Sequence, residues 1–207
     1  MRSSKKPSPA GKADSSRPDN TSLLLQAISP ENTNEPARTR AFKQLMLLAK
    51  RSPGILLSRW SELAHLLRSG KAFSKYPAVH IIAALVPADT EGRFERSFTT
   101  FYSLLDDEAI SVAAHVARLS GGIVKARPAL EKRITTRLLA LDQTHFDRGR
   151  KDLVKSYALE AFDQYFEASR QKKAILRFAA ALASSQSPSA RVKARAFVKK
   201  WGPGEGT

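Results

Sequence analysis

Three consecutive carboxylates, Asp106, Asp107 and Glu108, form the densest acidic group in the chain. Two carboxylates that converge on a buried cleft can act as a general acid and a general base. These three directly precede a segment in which Val112 and Val116 recur on one face of a predicted helix. Carboxylates at a helix start accept hydrogen bonds from free N–H groups and interact favourably with the helix dipole. We therefore expect Asp107 to cap a helix rather than to act in catalysis, and the sequence predicts no catalytic residue.

The histidines could bind a metal only if they converged within a few ångström. No two of them are spaced as His-x-x-x-His. His80 and His115 fall on the second helices of successive predicted helix pairs, one residue past the anchor Val79 and three residues past the anchor Val112. We therefore expect them to point in different directions. The sequence therefore predicts no metal site and no cofactor. The four histidines are His65, His80, His115 and His145.

Acidic and basic stripes follow the last predicted helices. Glu160, Asp163 and Glu167 recur at helical spacing, which predicts either a solvated face or an acidic ridge that contacts a basic partner. The basic residues predict either the polar outer face of a terminal repeat or a phosphate-binding patch whose affinity falls steeply with salt. This candidate polyanion-binding set comprises Lys172, Lys173, Arg177, Arg191, Lys193, Arg195, Lys199 and Lys200.

Composition narrows the class of protein. The 207 residues are 42% hydrophobic, enough for a packed core, and carry a net charge of +16 that is interrupted only by an acidic segment at residues 71–110. A charge excess spread in this way favours solubility and weak attraction to polyanions. No cysteine is present, which is typical of proteins from a reducing compartment, so we expect a cytoplasmic protein. No stretch approaches the roughly 20 apolar residues of a membrane helix, and no Gly-rich phosphate loop occurs.

The elements that must position these residues are all helical. Apolar residues recur at three- and four-residue spacing along most of the chain, which predicts about ten helices and no strand. One predicted helix contains Leu56, Trp60, Leu63 and Leu67, another starts at Pro77, and the helix after Asp107 is expected to end at the glycine pair 121–122. Residues 1–20, rich in Ser, Pro and Lys, are expected to form a disordered basic tail.

Every second predicted helix carries the same local signature. A small or β-branched anchor residue is followed four positions later by another, and these anchors are 33 to 42 residues apart. A capping residue precedes four of the five anchors by five positions, at Asn32, Ser74, Asp107 and Ser187. A basic residue follows three anchors, as Arg38, Lys155 and Lys193. The anchor pairs are Ala37/Ala41, Val79/Ala83, Val112/Val116, Val154/Ala158 and Val192/Ala196.

This signature resembles that of HEAT repeats, whose period is roughly 40 residues. The resemblance covers about residues 21–201 and implies a right-handed α-solenoid of about five helical hairpins, followed by a flexible C-terminus at 202–207. A globular helix bundle is the structural alternative.

The resemblance implies a non-catalytic binding module for a partner protein. Its exposed second helices carry the candidate contact residues Arg40, His80, His115, Glu160, Asp163 and Arg195. A nucleic-acid-binding solenoid that uses the basic C-terminal set is one alternative. A HEAT-like DNA glycosylase, which would need a concave cleft with an aromatic–carboxylate pair, is another.

Overall fold

The computed structural model describes residues 19–202, and this part of the chain is all-α, as predicted. No strand occurs within these residues, and none of their helices is both long and apolar enough to cross a bilayer. Single 3-10 turns adjoin the helices at Val86–Ala88, Leu104–Asp106, Pro128–Leu130, Leu141–Gln143 and Phe166–Ala168. The α-helices are α1 Asn20–Ala27, α2 Glu35–Arg51, α3 Pro53–Leu57, α4 Trp60–Leu66, α5 Ala72–Leu85, α6 Arg93–Ser103, α7 Ile110–Ala126, α8 Glu131–Leu139, α9 Arg148–Asp163, α10 Lys172–Leu182 and α11 Pro188–Trp201.

The predicted tail at residues 1–20 lies outside the described residues except for its last two. Asp19 caps α1 by accepting a hydrogen bond from the N–H of Ser22 (2.6 Å), and Asn20 is the first residue of α1. Helix α1 therefore begins one residue before the predicted boundary, and its N-cap lies one residue before the helix. At the other end α11 reaches Trp201 as predicted, and only Gly202 of the predicted C-terminal segment is described.

Side-chain caps start three of the longer helices. Asn34, Asp147 and Ser187 each accept a hydrogen bond from the backbone N–H three residues later. This pattern satisfies one of the free donors of the first turn. The prediction was right for Ser187, but Asn34 replaces Asn32 as the N-cap of α2, and Ser74 lies inside α5. Spacing from an anchor residue therefore located these caps only to within a few residues.

Two helix boundaries also differ from the prediction. The helix expected over residues 56–67 is split into α3 and α4 by a turn at Ser58 and Arg59, although its apolar positions are all buried. α5 starts at Ala72, and Pro77 lies within it rather than at its start. A proline lacks the N–H that would bond to the carbonyl of the residue four positions earlier. Burial of one face of α5 in the core offsets the loss of this single hydrogen bond.

The helices form two rows that pack against each other. The second row consists of α2, α5, α7, α9 and α11, and each helix packs against the next in that order. The first row consists of α1, α3 with α4, α6, α8 and α10. The Nε1–H of Trp60 donates to Ser97 Oγ (2.9 Å) and joins α4 to α6, while the guanidinium of Arg133 lies 3.9 Å from the ring centre of Phe98 and joins α8 to α6. A hairpin here is a first-row helix together with the second-row helix that follows it. Within the described residues, substantial packing joins only helices of the same hairpin or of adjacent hairpins.

The core lies between the rows and along the second row. The predicted anchors are buried in α5, α7 and α9, where Val79, Val112 and Val154 are fully buried. The anchor predicted in α11 is wrong, because Val192 is 67% exposed and Ala196 is also exposed. The buried face of α11 consists instead of Ala190, Ala194 and Phe197. Small residues on this face let α11 pack closely against α9.

α7 does not end at the glycine pair, which corrects the prediction. The helix continues through both glycines to Ala126. Gly121 is buried against α9, where an added Cβ would lie 2.9 Å from the carbonyl oxygen of Ala161 and 2.6 Å from Nε2 of Gln164. Gly122 points to solvent, and an added Cβ there would meet nothing within 4 Å. Gly121 is therefore required for the close approach of α7 and α9, the most extensive helix pair in the fold.

Buried polar contacts join successive second-row helices at their N-terminal ends. Lys75 of α5 forms an ion pair with Asp107 in the turn before α7, and their side chains are only 11% and 5% exposed. The other oxygen of Asp107 accepts the N–H of Ala109 (2.9 Å), so Asp107 orders the helix start without being its N-cap. Asp152 of α9 likewise accepts a hydrogen bond from Ser185 in the turn before α11. The two contacts span 32 and 33 residues and occupy corresponding places in the fold.

Candidate functional site

The predicted contact residues all lie on the second row, and the structure joins four of them in two groups. His80 of α5 contacts His115 of α7, whereas Glu160 and Asp163 of α9 form ion pairs with lysines of α11. Arg40 on α2 and Arg195 on α11 are exposed and form no ion pair with any described residue.

The two histidines point toward each other, contrary to the prediction. Nε2 of His80 and Nδ1 of His115 are 3.0 Å apart, within hydrogen-bonding distance. The prediction compared the positions of the two histidines relative to the anchors of α5 and α7, and these positions do not determine which side chains meet. Packing, not residue type, determines which positions of neighbouring helices lie side by side. The pair supplies two nitrogen ligands, and no group of three metal-binding side chains occurs within residues 19–202.

Five rings form a continuous band across four second-row helices, which we call the aromatic strip: Phe42, Tyr76, His80, His115 and Tyr157. Neighbouring ring centres are 4.6 to 6.1 Å apart, and the ring pairs have edge-to-face or tilted geometry. Aromatic pairs prefer this geometry over face-to-face stacking. Every ring of the strip is half-buried, so each presents one edge or face to solvent.

The electrostatic surroundings of the strip differ between its Tyr157 end and its middle. Nζ of Lys193 on α11 lies 4.6 Å from the ring centre of Tyr157, which extends the strip to a fifth helix with a cation. In the middle, burial and the charges of His115 and Arg118 lower the pKa of His80 to about 4. Burial and Arg118 also lower the pKa of His115, while Glu160 opposes this shift. Both imidazoles are therefore neutral at pH 7, and the strip is apolar around them.

Acid is expected to destabilise the fold through His80. The unfolded histidine takes up a proton near pH 6.5 and the folded one near pH 4. Between these values the unfolded chain binds more protons, so the free energy of unfolding falls as the pH falls through this window. After reduction for the part-exposed ring, we expect a loss of about 2 kcal/mol.

Urea unfolding at pH 7 and pH 4.5 measures this loss. The variant His80→Phe keeps a ring in the strip and is expected to lose part of the pH dependence. His65→Phe, at an exposed position on α4, is the matched control. Its free energy of unfolding should change between pH 7 and pH 4.5 as much as that of the unmodified chain. Equal pH dependence in all three proteins would contradict the assignment to His80.

Two acids of the predicted ridge, Glu160 and Asp163, are neutralised by α11, whereas Glu167 is exposed in the 3-10 turn that follows α9. Glu160 accepts from Lys193 (2.6 Å) and lies 3.2 Å from the guanidinium of Arg118 on α7. Asp163 accepts from Lys200 (2.8 Å) and from the indole N–H of Trp201 (2.6 Å). Partial burial opposes the effect of these donors, but they hold the pKa of Asp163 below its usual value.

A groove of about 220 Å³ runs between α9 and α11 beside the strip. Its floor is apolar and consists of Leu159, Ala196 and Phe197, and the ion pairs of Glu160 and Asp163 stand at its sides. A second groove of about 380 Å³ lies between α2 and α5 at the other end of the strip. Phe42 and Tyr76 contribute to its wall. The strip therefore connects two grooves that have apolar walls and charged edges.

The basic C-terminal set does not form one patch. Lys172, Lys173 and Arg177 lie on α10 in the first row, whereas the other members lie on α11 in the second row. Lys193 and Lys200 are paired with carboxylates of α9, and Arg191 donates to backbone carbonyls in the turn that precedes α11. Arg195 and Lys199 are exposed.

The three consecutive acids are also separated. Asp106 accepts hydrogen bonds from the backbone N–H and from Nδ1 of His145 (2.8 and 2.6 Å), and Asp107 pairs with Lys75. The carboxylates of Asp106 and Asp107 thus serve two different structural contacts. Sequence reasoning missed Tyr76, which lies at i, i+4 spacing from His80 and could have been found from that spacing.

The chain matches no model of a known protein family, and neither the curated proteins nor the solved structures contain a similar chain. Functional inference therefore depends on the side chains that the described residues present.

Proposed function

We propose that the chain is a non-catalytic binding module built as a right-handed HEAT-like α-solenoid. This proposal is supported by the order in which second-row helices pack, each against the next along the chain. It is also supported by the contacts of Lys75 with Asp107 and of Asp152 with Ser185, which recur at corresponding places. Repeat proteins of this kind bury a shared core by stacking, and their exposed rows of helices present extended binding surfaces.

The observation that carries the proposal is the aromatic strip. Half-buried rings on four successive second-row helices offer apolar contact area whose side chains are already ordered by their neighbours. Aromatic anchors of this kind are enriched among the residues that dominate the free energy of protein–protein binding. Pre-ordered rings also reduce the entropy that is lost on association. The strip is continuous over several helices, and therefore it suits an extended segment of a partner protein better than a small molecule.

The charged edges determine which segment would fit. At one end the groove between α9 and α11 presents Lys193 and Lys200 beside Glu160 and Asp163. A partner with apolar side chains for the rings and polar groups for these ion pairs would match the surface. The lack of cysteine agrees with a cytoplasmic partner, and the cytoplasm is where we propose that the complex forms.

Quantitative affinity capture from an extract of the native source tests the role of the strip. The strip variant carries Phe42→Gln and Tyr157→Gln, which remove two rings and keep good helix formers. The matched control carries Leu23→Gln and Ile55→Gln, two exposed apolar residues of the first row (49% and 46% exposed). Circular dichroism establishes that both variants keep their helix content.

The amount of partner captured by the strip variant is expected to be about tenfold or more below the amount captured by the unmodified chain, because the variant lacks two binding anchors. The control should retain it within about twofold. A partner that is captured equally by the strip variant, or lost only from the control, would overturn the proposal.

A further inference from the structure

A charged surface lies on the first row of helices, whereas the aromatic strip lies on the second row. We call this charged surface the α8–α10 patch. Each of its members is exposed or at the surface, and none forms an ion pair with an acid among residues 19–202. The patch consists of Lys132, Arg133 and Arg137 on α8, Arg170 in the preceding turn of α10, and Lys172, Lys173 and Arg177 on α10.

Side-chain contacts hold the N-terminal ends of α8 and α10 together. Nε2 of Gln171 donates to the backbone carbonyl of Lys132 (3.3 Å), and Oγ of Ser169 donates to Oε1 of Glu131 (2.5 Å). The same oxygen of Glu131 also accepts from the hydroxyl group of Thr135, and no cation of the patch forms an ion pair with Glu131. The cations of the two helices therefore belong to one surface.

The stability of the two helices does not explain this cluster of cations. Lys132 and Arg133 lie in the first turn of α8, and Lys172 and Lys173 lie in the first turn of α10. The N-terminal end of a helix carries partial positive charge, so cations there are unfavourable by several tenths of a kcal/mol each. Such a cost is typical of residues that are retained for binding rather than for folding.

The rings under the patch are covered by its cations. The guanidinium of Arg133 lies over Phe98 at 3.9 Å, and Nζ of Lys172 lies 5.9 Å from the ring centre of Phe166. Proteins that bind single-stranded nucleic acid expose rings on which bases stack, and the α8–α10 patch presents cations in their place. This arrangement favours contact with phosphates over contact with bases.

Apolar side chains that could enter a lipid layer are lacking on the patch. The large hydrophobic residues that are exposed in the described chain all lie on other helices: Leu23, Leu47, Ile55, Leu153 and Val192. Binding to a membrane surface combines electrostatic attraction with burial of apolar side chains. The patch offers only the electrostatic part, which is sufficient for a phosphodiester backbone.

We propose that the α8–α10 patch binds the phosphate backbone of double-stranded nucleic acid without regard to sequence. Arg133 with Arg137, and Lys173 with Arg177, form two i, i+4 pairs whose Cβ atoms are about 5–6 Å apart. The pairs lie on neighbouring helices, whose axes are typically 8–10 Å apart, so the four cations span a surface on which several phosphates fit. This proposal is independent of the function assigned to the strip, because it concerns the other row of helices.

Fluorescence anisotropy with a random-sequence 20-base-pair DNA duplex tests the proposal on the full chain between 50 and 200 mM salt. The patch variant carries Lys132→Gln, Arg137→Gln, Lys173→Gln and Arg177→Gln, and it keeps Arg133 because the guanidinium of this residue packs on Phe98. The matched control removes the same charge at exposed lysines elsewhere, with Lys43→Gln, Lys50→Gln, Lys71→Gln and Lys125→Gln. Vesicles of phosphatidylcholine with phosphatidylserine, and polyglutamate, serve as competing polyanions.

The patch variant is expected to bind the duplex about a hundredfold more weakly at 100 mM salt. Its plot of log affinity against log salt should be less steep by about 3 to 4, because each lost phosphate contact contributes about 0.9 to the slope. The control should stay within about threefold of the unmodified chain. Equal loss in both variants would overturn the proposal, as would binding to vesicles or polyglutamate that equals binding to the duplex.

Discussion

Replacement of Gly121 by alanine is expected to destabilise the fold by about 2 kcal/mol, whereas the same change at Gly122 is expected to stabilise it by about 0.5–1 kcal/mol. The new methyl group at position 121 would lie 2.9 Å from the backbone carbonyl of Ala161, which can move only with α9. The side chain of Gln164 is flexible and can withdraw, so the carbonyl determines the cost. At position 122 the methyl group meets nothing, and alanine gains its higher helix propensity.

The two variants form a matched pair, since they add one methyl group to neighbouring residues of the same helix. Urea unfolding at pH 7, followed by circular dichroism, measures both changes in the free energy of unfolding. Similar changes in both variants, of either sign, would show that α7 and α9 do not approach as closely as described.

Replacement of Lys75 by methionine is expected to cost about 3–5 kcal/mol, because the carboxylate of Asp107 would remain buried without its cation. Asp107 also accepts the N–H of Ala109, so it cannot turn away without releasing the start of α7. Lys71→Met, at an exposed position near the start of the same helix, is the control and should change the stability by less than about 0.5 kcal/mol.

A double-mutant cycle with Asp107→Asn separates the ion pair from the packing of the lysine side chain. Asparagine keeps an oxygen for the N–H of Ala109 but carries no charge. The double variant is expected to recover at least about 2 kcal/mol relative to the sum of the single changes, as for residues that share one buried contact. Additive changes would mean that the two charges do not interact.

Periodicity alone predicted most of the helices and their buried faces. Apolar spacing of three and four residues identified the faces around Val112 and Val154, because burial of one stripe is the main requirement on a packed helix. It failed on α11, where Val192 fits the spacing but the smaller Ala190 and Ala194 face α9. The face of α11 that contains Val192 and the face that contains Ala190 and Ala194 have nearly the same residue spacing. The packing of α11 against its neighbouring helix determines which of the two faces is buried.

Contacts between helices were beyond prediction from the sequence. The meeting of His80 with His115 depends on how far α7 is shifted along α5, and no local pattern records that shift. The glycine pair shows the same limit. A glycine can end a helix or can allow a neighbouring helix to approach closely, and the sequence alone does not distinguish these two roles. For the candidate site, the predicted topology placed the contact residues on the second row. The neutralisation of Glu160 and Asp163 could not be predicted, because it depends on how α11 packs against α9.

The side-chain hydrogen bonds between residues 19 and 202 span at most 40 positions, the separation of Asp19 from Arg59. Each hairpin consequently finds its packing partners among segments made shortly before or after it. During translation the early hairpins have their neighbours before the C-terminal ones are synthesised, and ordering can advance one hairpin at a time as the polypeptide leaves the ribosome.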